Sequence, residues 1–461
     1  MKQIIVVVGG VASGPAAVAE ARRTDPDARI VLIEKGDDIS YGACEMPMLL
    51  SGSLENPERL RRFTPAGFAD HFNVEVLIRH EVVRIHTETR KLDVANASTS
   101  TLVKMRYDKL ILATGASAII PESLRSATPD VFSLRSLEDA RTIQDALAKR
   151  TIHHAVVIGG GYVGLDVVWA LKERGIRVSI LVPKDSILKE GLDEPMQERL
   201  LAHLRHHQVA VRDDRASGLE VAPDGRLAAV LTEAGEKIGC DLALIATGTQ
   251  PQTQLGLDVR IKMGASQGYL VDDGMQTSEK GIWACGDCVE REETVFGEII
   301  HAPLSLNAFR SGRVAGRNAA RKGTGRPARI PAVVKAAALA LGSLEIGHTG
   351  WTESAASKLG KQVVSATIKH RSASSLSPHS DVHVHLVAES ATGRLVGCQI
   401  AGGLGTSQRL NVVTALIRSG GTVDDLYNVD FVYAPRLAPA HDPLFVAART
   451  LQKALNASRK H

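Results

Sequence analysis

Unbroken apolar runs and stretches of helical period alternate along this chain, and the same order of them occurs twice. Ile4 to Val8 is a continuous apolar run, the pattern of a strand buried on both faces in a parallel sheet. It leads into GGVASG, Gly9 to Gly14, and then an alanine-rich segment from about Pro15 to Arg23 that predicts a helix. A second run, Arg29 to Ile33, ends on Glu34. The order returns with Ala155 to Ile158, GGGYVG from Gly159 to Gly164, a helical stretch to about Arg174, and Arg177 to Val182. Each copy closes with a strand and an Ala-Thr-Gly triplet. The first is Tyr107 to Leu112 followed by Ala113, Thr114 and Gly115; the second is Leu242 to Ile245 followed by Ala246, Thr247 and Gly248. Repetition over the length of a domain marks a duplicated unit rather than a solenoid.

Other stretches carry other periods. Residues 74–94 alternate apolar and polar and predict antiparallel strands. Leu137 to Leu147 has a helical pattern. Residues 302–320 predict a helix with Arg310, Arg313 and Arg317 on one row, a solvated or phosphate-facing edge. RKGTGRPARIP, residues 321–331, reads as a linker. Beyond it come a helix-prone alanine stretch and alternating strands at Val363 to Lys369, Val382 to Ala388 and Arg394 to Ile400. A helix near Leu410 to Ser419 follows. That mixture predicts a separate α+β domain. A proline-rich loop, Phe431 to Pro443, and a short basic tail end the chain.

Composition narrows the function classes. With 461 residues the chain is long enough for about three domains. A net charge of +4 over that length gives no argument for nucleic acid. Five cysteines, an odd number, suit a reducing compartment better than a disulfide framework. The apolar start runs straight into a glycine turn, so it reads as a strand and not a signal peptide. The longest other apolar stretch, from Ala332, is interrupted by Lys335 and is too short for a membrane span. A cytoplasmic protein without membrane or nucleic-acid partners is expected.

Strand, glycine turn, helix, strand, acid is the fingerprint of dinucleotide binding. The glycines let the backbone approach a pyrophosphate at the helix N-terminus, and Glu34 takes ribose hydroxyls. Val11 stands where a second glycine is usual, so the βαβ context carries the first assignment. Two such units imply two dinucleotides. Past the second triplet, a strand through Trp283 ends in Gly286-Asp287. There an aspartate can accept a hydrogen bond from a sugar-alcohol hydroxyl or cap a helix. SYGACEMP, Ser40 to Pro47, places Cys44 shortly after the first acid. At a helix start, a thiol's pKa falls because the thiolate is stabilised. Cys285 and Cys288 form a single CxxC with no second pair, and they read as packing residues.

Taken together, the N-terminal fingerprint, GGGYVG, the two Ala-Thr-Gly triplets and the late ACGD resemble the flavoproteins that bind two dinucleotides. GRLVGCQIAGG (Gly393 to Gly403), TVDDL (Thr422 to Leu426), YAP and DPL resemble that family's dimerisation domain. SYGACEMP is similar to its single-cysteine branch, which holds coenzyme A-disulfide reductases, persulfide reductases, NADH oxidases and peroxidases. Leu49 occupies the position of the second cysteine of the glutathione reductase branch. The resemblance implies an α/β fold with two Rossmann-like dinucleotide-binding domains and a C-terminal α+β dimerisation domain. Residues 1–115 and 249–325 would bind FAD, 116–248 would bind NAD(P), and 326–461 would dimerise.

By the same resemblance Gly9, Gly10, Ala12, Gly14, Glu34, Lys35, Ala113, Thr114, Gly115 and Asp287 would hold FAD. Gly159, Gly161, Tyr162, Val163, Gly164 and Gly248 would hold the nicotinamide cofactor, with Tyr162 covering the flavin until the nicotinamide displaces it. Tyr433 would complete the site across a homodimer. Ala12 stands where oxidases and peroxidases carry a histidine, which favours disulfide or persulfide reduction over peroxide chemistry. The second tyrosine of the coenzyme A-disulfide reductases has no counterpart near Ser375 and Leu376. Glu45 and Met48 also depart from the branch pattern, and His441 stands where it often has tryptophan. Asp166 replaces a glutamate that faces the nicotinamide. Val182, Pro183 and Lys184 lack the acid that repels a 2′-phosphate, so NADPH is favoured over NADH, or both serve. Arg22, Ser40 and the Arg61–Arg62 pair are candidates for binding a coenzyme A-like disulfide. The expected activity passes hydride from NAD(P)H through FAD to Cys44 and on to a small disulfide or persulfide. Two alternatives stay open: an oxidase or peroxidase cycling Cys44 through a sulfenic acid, and a redox flavoprotein serving a protein partner.

Overall fold

The computed structural model describes residues 2–126, 128–323 and 325–458; the basic tail lies outside them. The apolar runs form two parallel sheets with the same layout. In the first, Ile4–Val8 is central, flanked by Arg29–Ile33 and Lys109–Leu112, with Glu75–Leu77 and Ile282–Ala284 at the edges. In the second, His154–Ile158 is central, flanked by Arg177–Leu181 and Leu242–Ile245, with Ala210–Arg212 and Val131–Ser133 at the edges. Each sheet takes one edge strand from a distant part of the chain. In the first unit that strand comes late in the sequence; in the second it comes before the unit begins.

The repeat extends to the insertions. His80–His86, Lys91–Asn96 and Thr101–Arg106 form an antiparallel sheet between the third and fourth parallel strands of the first unit. Ala216–Val221, Leu227–Thr232 and Lys237–Gly239 sit at the same place in the second. The expectation of antiparallel strands over 74–94 therefore holds from residue 80 onward. Glu75–Leu77 instead pairs parallel with Arg29–Ile33 and completes the first sheet.

The helices Ser13–Thr24 and Ser305–Ala320 pack together through small residues. The chain crosses between units at the two triplets. There Ala116–Ala118 pairs antiparallel with Thr249–Pro251. Thr114 Oγ1 donates to the Gln252 carbonyl at 2.5 Å and Thr247 Oγ1 to the Ile119 carbonyl at 2.7 Å.

The C-terminal part is a five-stranded antiparallel sheet covered by Leu410–Arg418 and Pro443–Ser458. Its first strand, Ala336–Leu341, is the alanine stretch expected to be helical. It pairs along its whole length with Leu344–Gly350. Tertiary pairing overrides alanine's helix propensity, a weak prior in such contexts. Asp193 joins this sheet to the second unit. Its amide donates to Gln399 Oε1 at 2.7 Å, and its carboxylate accepts from Gln399 Nε2 at 2.6 Å and from the Glu353 and Ser354 amides.

Candidate active site

The first glycine turn is shaped by close backbone contacts. Gly9 has φ +108°, and a Cβ there would lie 2.1 Å from the Ala113 carbonyl oxygen. A Cβ on Gly14 would lie 1.8 Å from the Gly9 carbonyl oxygen. Any side chain at Gly9 or Gly14 would push strand, turn and helix apart. The Gly10 amide donates to Glu34 Oε2 at 2.7 Å and the Gly36 amide to Oε1 at 2.8 Å, so the acid is fixed at the end of its strand. Asp287 follows the edge strand Ile282–Ala284 and pairs with Arg135 at 2.7 Å.

These groups open onto one cleft of about 1800 Å³. Small-molecule pockets run to roughly 300–1,000 Å³, so this one has room for a dinucleotide. Gly9, Gly10, Ala12, Glu34, Lys35, Ser40, Cys44, Arg62, Ala113, Thr114, Gly115 and Asp287 line it. Gly14 lies beneath the turn, outside the lining. The cradle therefore fits FAD: glycine backbone for a pyrophosphate, a fixed carboxylate for a ribose, and Asp287 further along the same wall. Sequence reasoning missed Arg135, Gln252 and Ser305, which line the same cleft. Each reaches it from a segment remote in sequence, and none belongs to a motif.

Cys44 is exposed to this cleft. It sits in the single turn Ala43–Glu45, and the helix behind it, Pro47–Ser51, is only five residues long. Leu49 and Leu50 anchor that helix in the core of the second unit, against Leu137–Lys149 and Tyr162–Glu173. The sulfur thus lies at the junction of the two units. The expected fall in its pKa is not found: the thiol is pushed up. Desolvation by the protein walls around the cleft is the main cause, followed by Glu45, Asp166 and Asp287, while the Ser305 hydroxyl acts the other way. Cys44 precedes the first residue of that helix, Pro47, by three positions. Asp166 is itself raised to about 6 by burial.

Arg22 is not near the thiol. Its guanidinium donates to the carbonyls of Phe72, Asp25, Pro26, Ala28 and Asn73, closing the end of the helix Ser13–Thr24. That replaces the expected contact with a substrate phosphate. Arg61 is held by Asp38 and Glu58, whereas Arg62 faces the cleft.

The second glycine turn repeats the first: Gly159 has φ +111°, and a Cβ on Gly164 would lie 2.2 Å from the Gly159 carbonyl oxygen. Gly161 and Val163 are exposed there, and Gly248 ends the second triplet beside the Ile119 side chain. Tyr162 departs from expectation. Its ring does not line the cleft but stacks on His348, with centroids 6.3 Å apart, and its hydroxyl is buried without a partner. Burial pushes its phenol well up. An acid does stand beside Lys184, whose amide donates to Asp213 Oδ1 at 2.7 Å. It comes from the end of the next strand and so escaped the contiguous motif.

Tyr433 is 56% exposed in the proline-rich loop and faces no part of its own chain's cleft. His441 stacks on Phe445 with centroids 5.3 Å apart. Cys285 and Cys288 are fully buried, with the Cys288 thiol donating to the Cys285 carbonyl at 3.2 Å. Among the described residues, no group of three or more His, Cys, Asp or Glu is placed to hold a metal, and no helix is long and apolar enough to cross a membrane.

The family described as pyridine nucleotide-disulphide oxidoreductase matches residues 3–308, and its dimerisation domain matches residues 336–443. The chain is 29% identical over 457 residues to an NAD(P)H coenzyme A polysulfide/persulfide reductase of Pyrococcus horikoshii, covering 98% of this chain and 99% of the relative. It is 28% identical over 452 residues to an NADH oxidase of Methanocaldococcus jannaschii, covering 98% and 99%. Among solved structures, an NAD-dependent persulfide reductase from A. fulgidus superposes with a TM-score of 0.94 at 28% identity, over 99% of this chain and 84% of that one.

Proposed function

The chain belongs to the pyridine nucleotide-disulphide oxidoreductase family, and on that premise we propose that it reduces a small disulfide or persulfide at Cys44. The enzyme uses FAD and NADPH or NADH. The observation that carries the reading is that Cys44 opens into the same cleft as the first glycine turn, Glu34 and Asp287. FAD supplies two-electron transfer between the nicotinamide and the sulfur when bound.

The chain's own residues do the rest. The Gly9–Gly14 turn and Glu34 hold the nucleotide half of the flavin cofactor, and Asp287 its sugar-alcohol chain. Residues 1–115 with 249–325 form this unit, which the pairing of Ile282–Ala284 with Lys109–Leu112 supports. Residues 116–248 take the nicotinamide cofactor at Gly159–Gly164. Cys44 carries the substrate thiol as a mixed disulfide. Released as a thiolate, the sulfur attacks the next disulfide.

The substrate class is a coenzyme A-type disulfide or persulfide. The Pyrococcus relative supports this, and Ser40 and Arg62 line the same cleft as Cys44, where they would receive its polar groups. Residues 326–461 pair two copies into a homodimer, and exposed Tyr433 reaches the partner's cleft. A second reading, reduction of oxygen through a Cys44 sulfenic acid, is favoured by the oxidase relative. Against it, Ala12 brings no proton donor to the sulfur. Cys44→Ser tests the proposal: disulfide turnover is lost while the flavin stays bound. Disulfide turnover that survives the change would overturn the sulfur-centred reading.

A further inference from the structure

The acids that line the cleft are Glu20, Glu34, Glu45, Glu81, Asp139 and Asp287. Most of them are answered by the protein itself. Glu20 pairs with Arg23 and Arg313, and Asp287 with Arg135. Glu34 accepts from the Gly10 and Gly36 amides, and Asp139 from the Arg135 and Ser136 amides. Among the described residues, the carboxylates of Glu45 and Glu81 have no hydrogen bond and no ion pair. Glu81 lies on the strand His80–His86 of the antiparallel insertion, whereas Glu45 follows Cys44 directly in the turn Ala43–Glu45. Asp166, the other acid felt at the sulfur, is outside the cleft lining, and burial holds its carboxyl at about 6.

The turn fixes where the free charge sits. The Glu45 amide donates to the Gly42 carbonyl at 3.3 Å, closing the turn that carries Cys44. The exposed carboxylate folds back over Gly42, where an added Cβ would lie 1.9 Å from Glu45 Oε2. The charge therefore stays within one turn of the sulfur. The stretch before Cys44 is paired with a second segment. The Arg62 amide donates to the Ser40 carbonyl at 2.7 Å, and the Gly42 amide to the Leu60 carbonyl at 2.9 Å. The Arg62 side chain is exposed and has no acid partner among the described residues. One wall thus carries a free negative charge next to the sulfur and a free positive charge on the neighbouring segment.

We propose that Glu45 selects the acceptor by charge. Disulfides whose atoms near the S–S bond are neutral or cationic are admitted, and those that bring carboxylates there are rejected. The inference rests on the reading of Cys44 as the sulfur that attacks a small disulfide. A coenzyme A-type disulfide passes this filter. Its arm beside the sulfur is an uncharged amide chain, and its phosphates lie far along that arm, where Arg62 can meet them. A glutathione-type disulfide brings carboxylates close to the sulfur and meets repulsion that a partly desolvated cleft strengthens.

Charged thiol reagents read the field at Cys44 directly. Reduced holoenzyme at low ionic strength is treated with methanethiosulfonates that carry a quaternary ammonium, a sulfonate or no charge. In each case the Cys44 thiolate attacks the thiosulfonate sulfur, the Cys44–S–S–R bond forms, and methanesulfinate leaves with the electron pair. Peptide mass spectrometry follows the modification. The three rates share one thiolate fraction, so their ratios do not depend on the thiol's pKa. The wild-type chain is expected to favour the cation over the anion by about tenfold, and salt near 1 M to remove most of that preference. Glu45→Gln lowers the cation-to-anion ratio roughly tenfold, and Glu45→Asp keeps most of it. An unchanged ratio in Glu45→Gln overturns the proposal. An equal fall in Glu45→Asp also overturns it, because shape and not charge would then be responsible. Should Glu45→Gln fail to hold flavin, the unaltered enzyme decides: a wild type without a salt-sensitive preference for the cation contradicts the assignment. Turnover follows the same sign. In Glu45→Gln, kcat/KM for glutathione disulfide rises about three- to tenfold relative to the uncharged disulfide pantethine, and a constant ratio between the two counts against selection by Glu45. Labelling does not depend on which acceptor is turned over. Its failure is thus distinct from failure of the disulfide reading, which the turnover of Cys44→Ser decides.

Discussion

Arg135 Nη2 lies 2.7 Å from Asp287 Oδ2, an ion pair between residues 152 positions apart that joins the two parallel-sheet units across the cleft. Arg135 also donates through Nε to the Ala116 carbonyl at 2.8 Å, at the crossing between the units. The pair therefore orients the aspartate proposed to take the flavin's sugar-alcohol chain. Asp287→Ala is expected to weaken FAD retention at least tenfold, the loss of a charge-assisted hydrogen bond worth about 1.5–3 kcal/mol. Arg135→Ala is expected to weaken it severalfold less, because the aspartate remains. The flavin-to-protein absorbance ratio after gel filtration checks both.

Gly14→Ala is expected to destabilise the chain by about 2–4 kcal/mol and to yield protein poor in flavin. The added Cβ would fall 1.8 Å from the Gly9 carbonyl oxygen, and rigid backbone is what it meets. Thermal unfolding together with flavin content measures this.

The resemblance to a dinucleotide fingerprint was legible because continuous apolar runs and glycine turns are local signals. The three central strands of each parallel sheet follow from them, whereas the edge strand Val131–Ser133 lies in a stretch with few strand signals. Ala336–Leu341 was not legible: an alanine run carries helix propensity, and only its pairing with Leu344–Gly350 makes it a strand. Glu75–Leu77 was too short to show whether its partner ran parallel. At the site, the glycines, Glu34, Cys44 and Asp287 stood in motifs. Arg135 and Ser305 reach the cleft from other elements, and Tyr162 turns toward His348 of the C-terminal sheet. Contacts of that kind are set by packing between units and leave no spacing in the chain.

Asp193 makes a pH prediction. Burial would raise its carboxyl, but His385, the Ser354 and Glu353 amides and Gln399 outweigh that and hold it at about 2. The folded pKa is depressed below the ordinary 3.8, so this contribution is complete above that value. It is lost as pH falls toward 2. Asp193→Asn is expected to be less stable by about 2–3 kcal/mol at neutral pH and to flatten the loss between pH 4 and 2. Thermal denaturation across that range shows either outcome.

Lys184→Glu bears on cofactor choice. Lys184 is exposed at the end of the strand Arg177–Leu181, beside Asp213. If Lys184 attracts a 2′-phosphate, the change raises KM for NADPH about tenfold, roughly 1.4 kcal/mol, and leaves NADH nearly unchanged. Equal effects on both cofactors would remove Lys184 from that role. Initial rates with each cofactor decide it.

The most direct test of the central claim is anaerobic. The purified enzyme is given NADPH and coenzyme A disulfide, and NADPH loss and free thiol are followed together. Reduction at Cys44 predicts two thiols released for each NADPH consumed, with neither change in Cys44→Ser. No thiol release, with rapid NADPH loss only once oxygen is admitted, would contradict the account and move the chain to the oxidase reading.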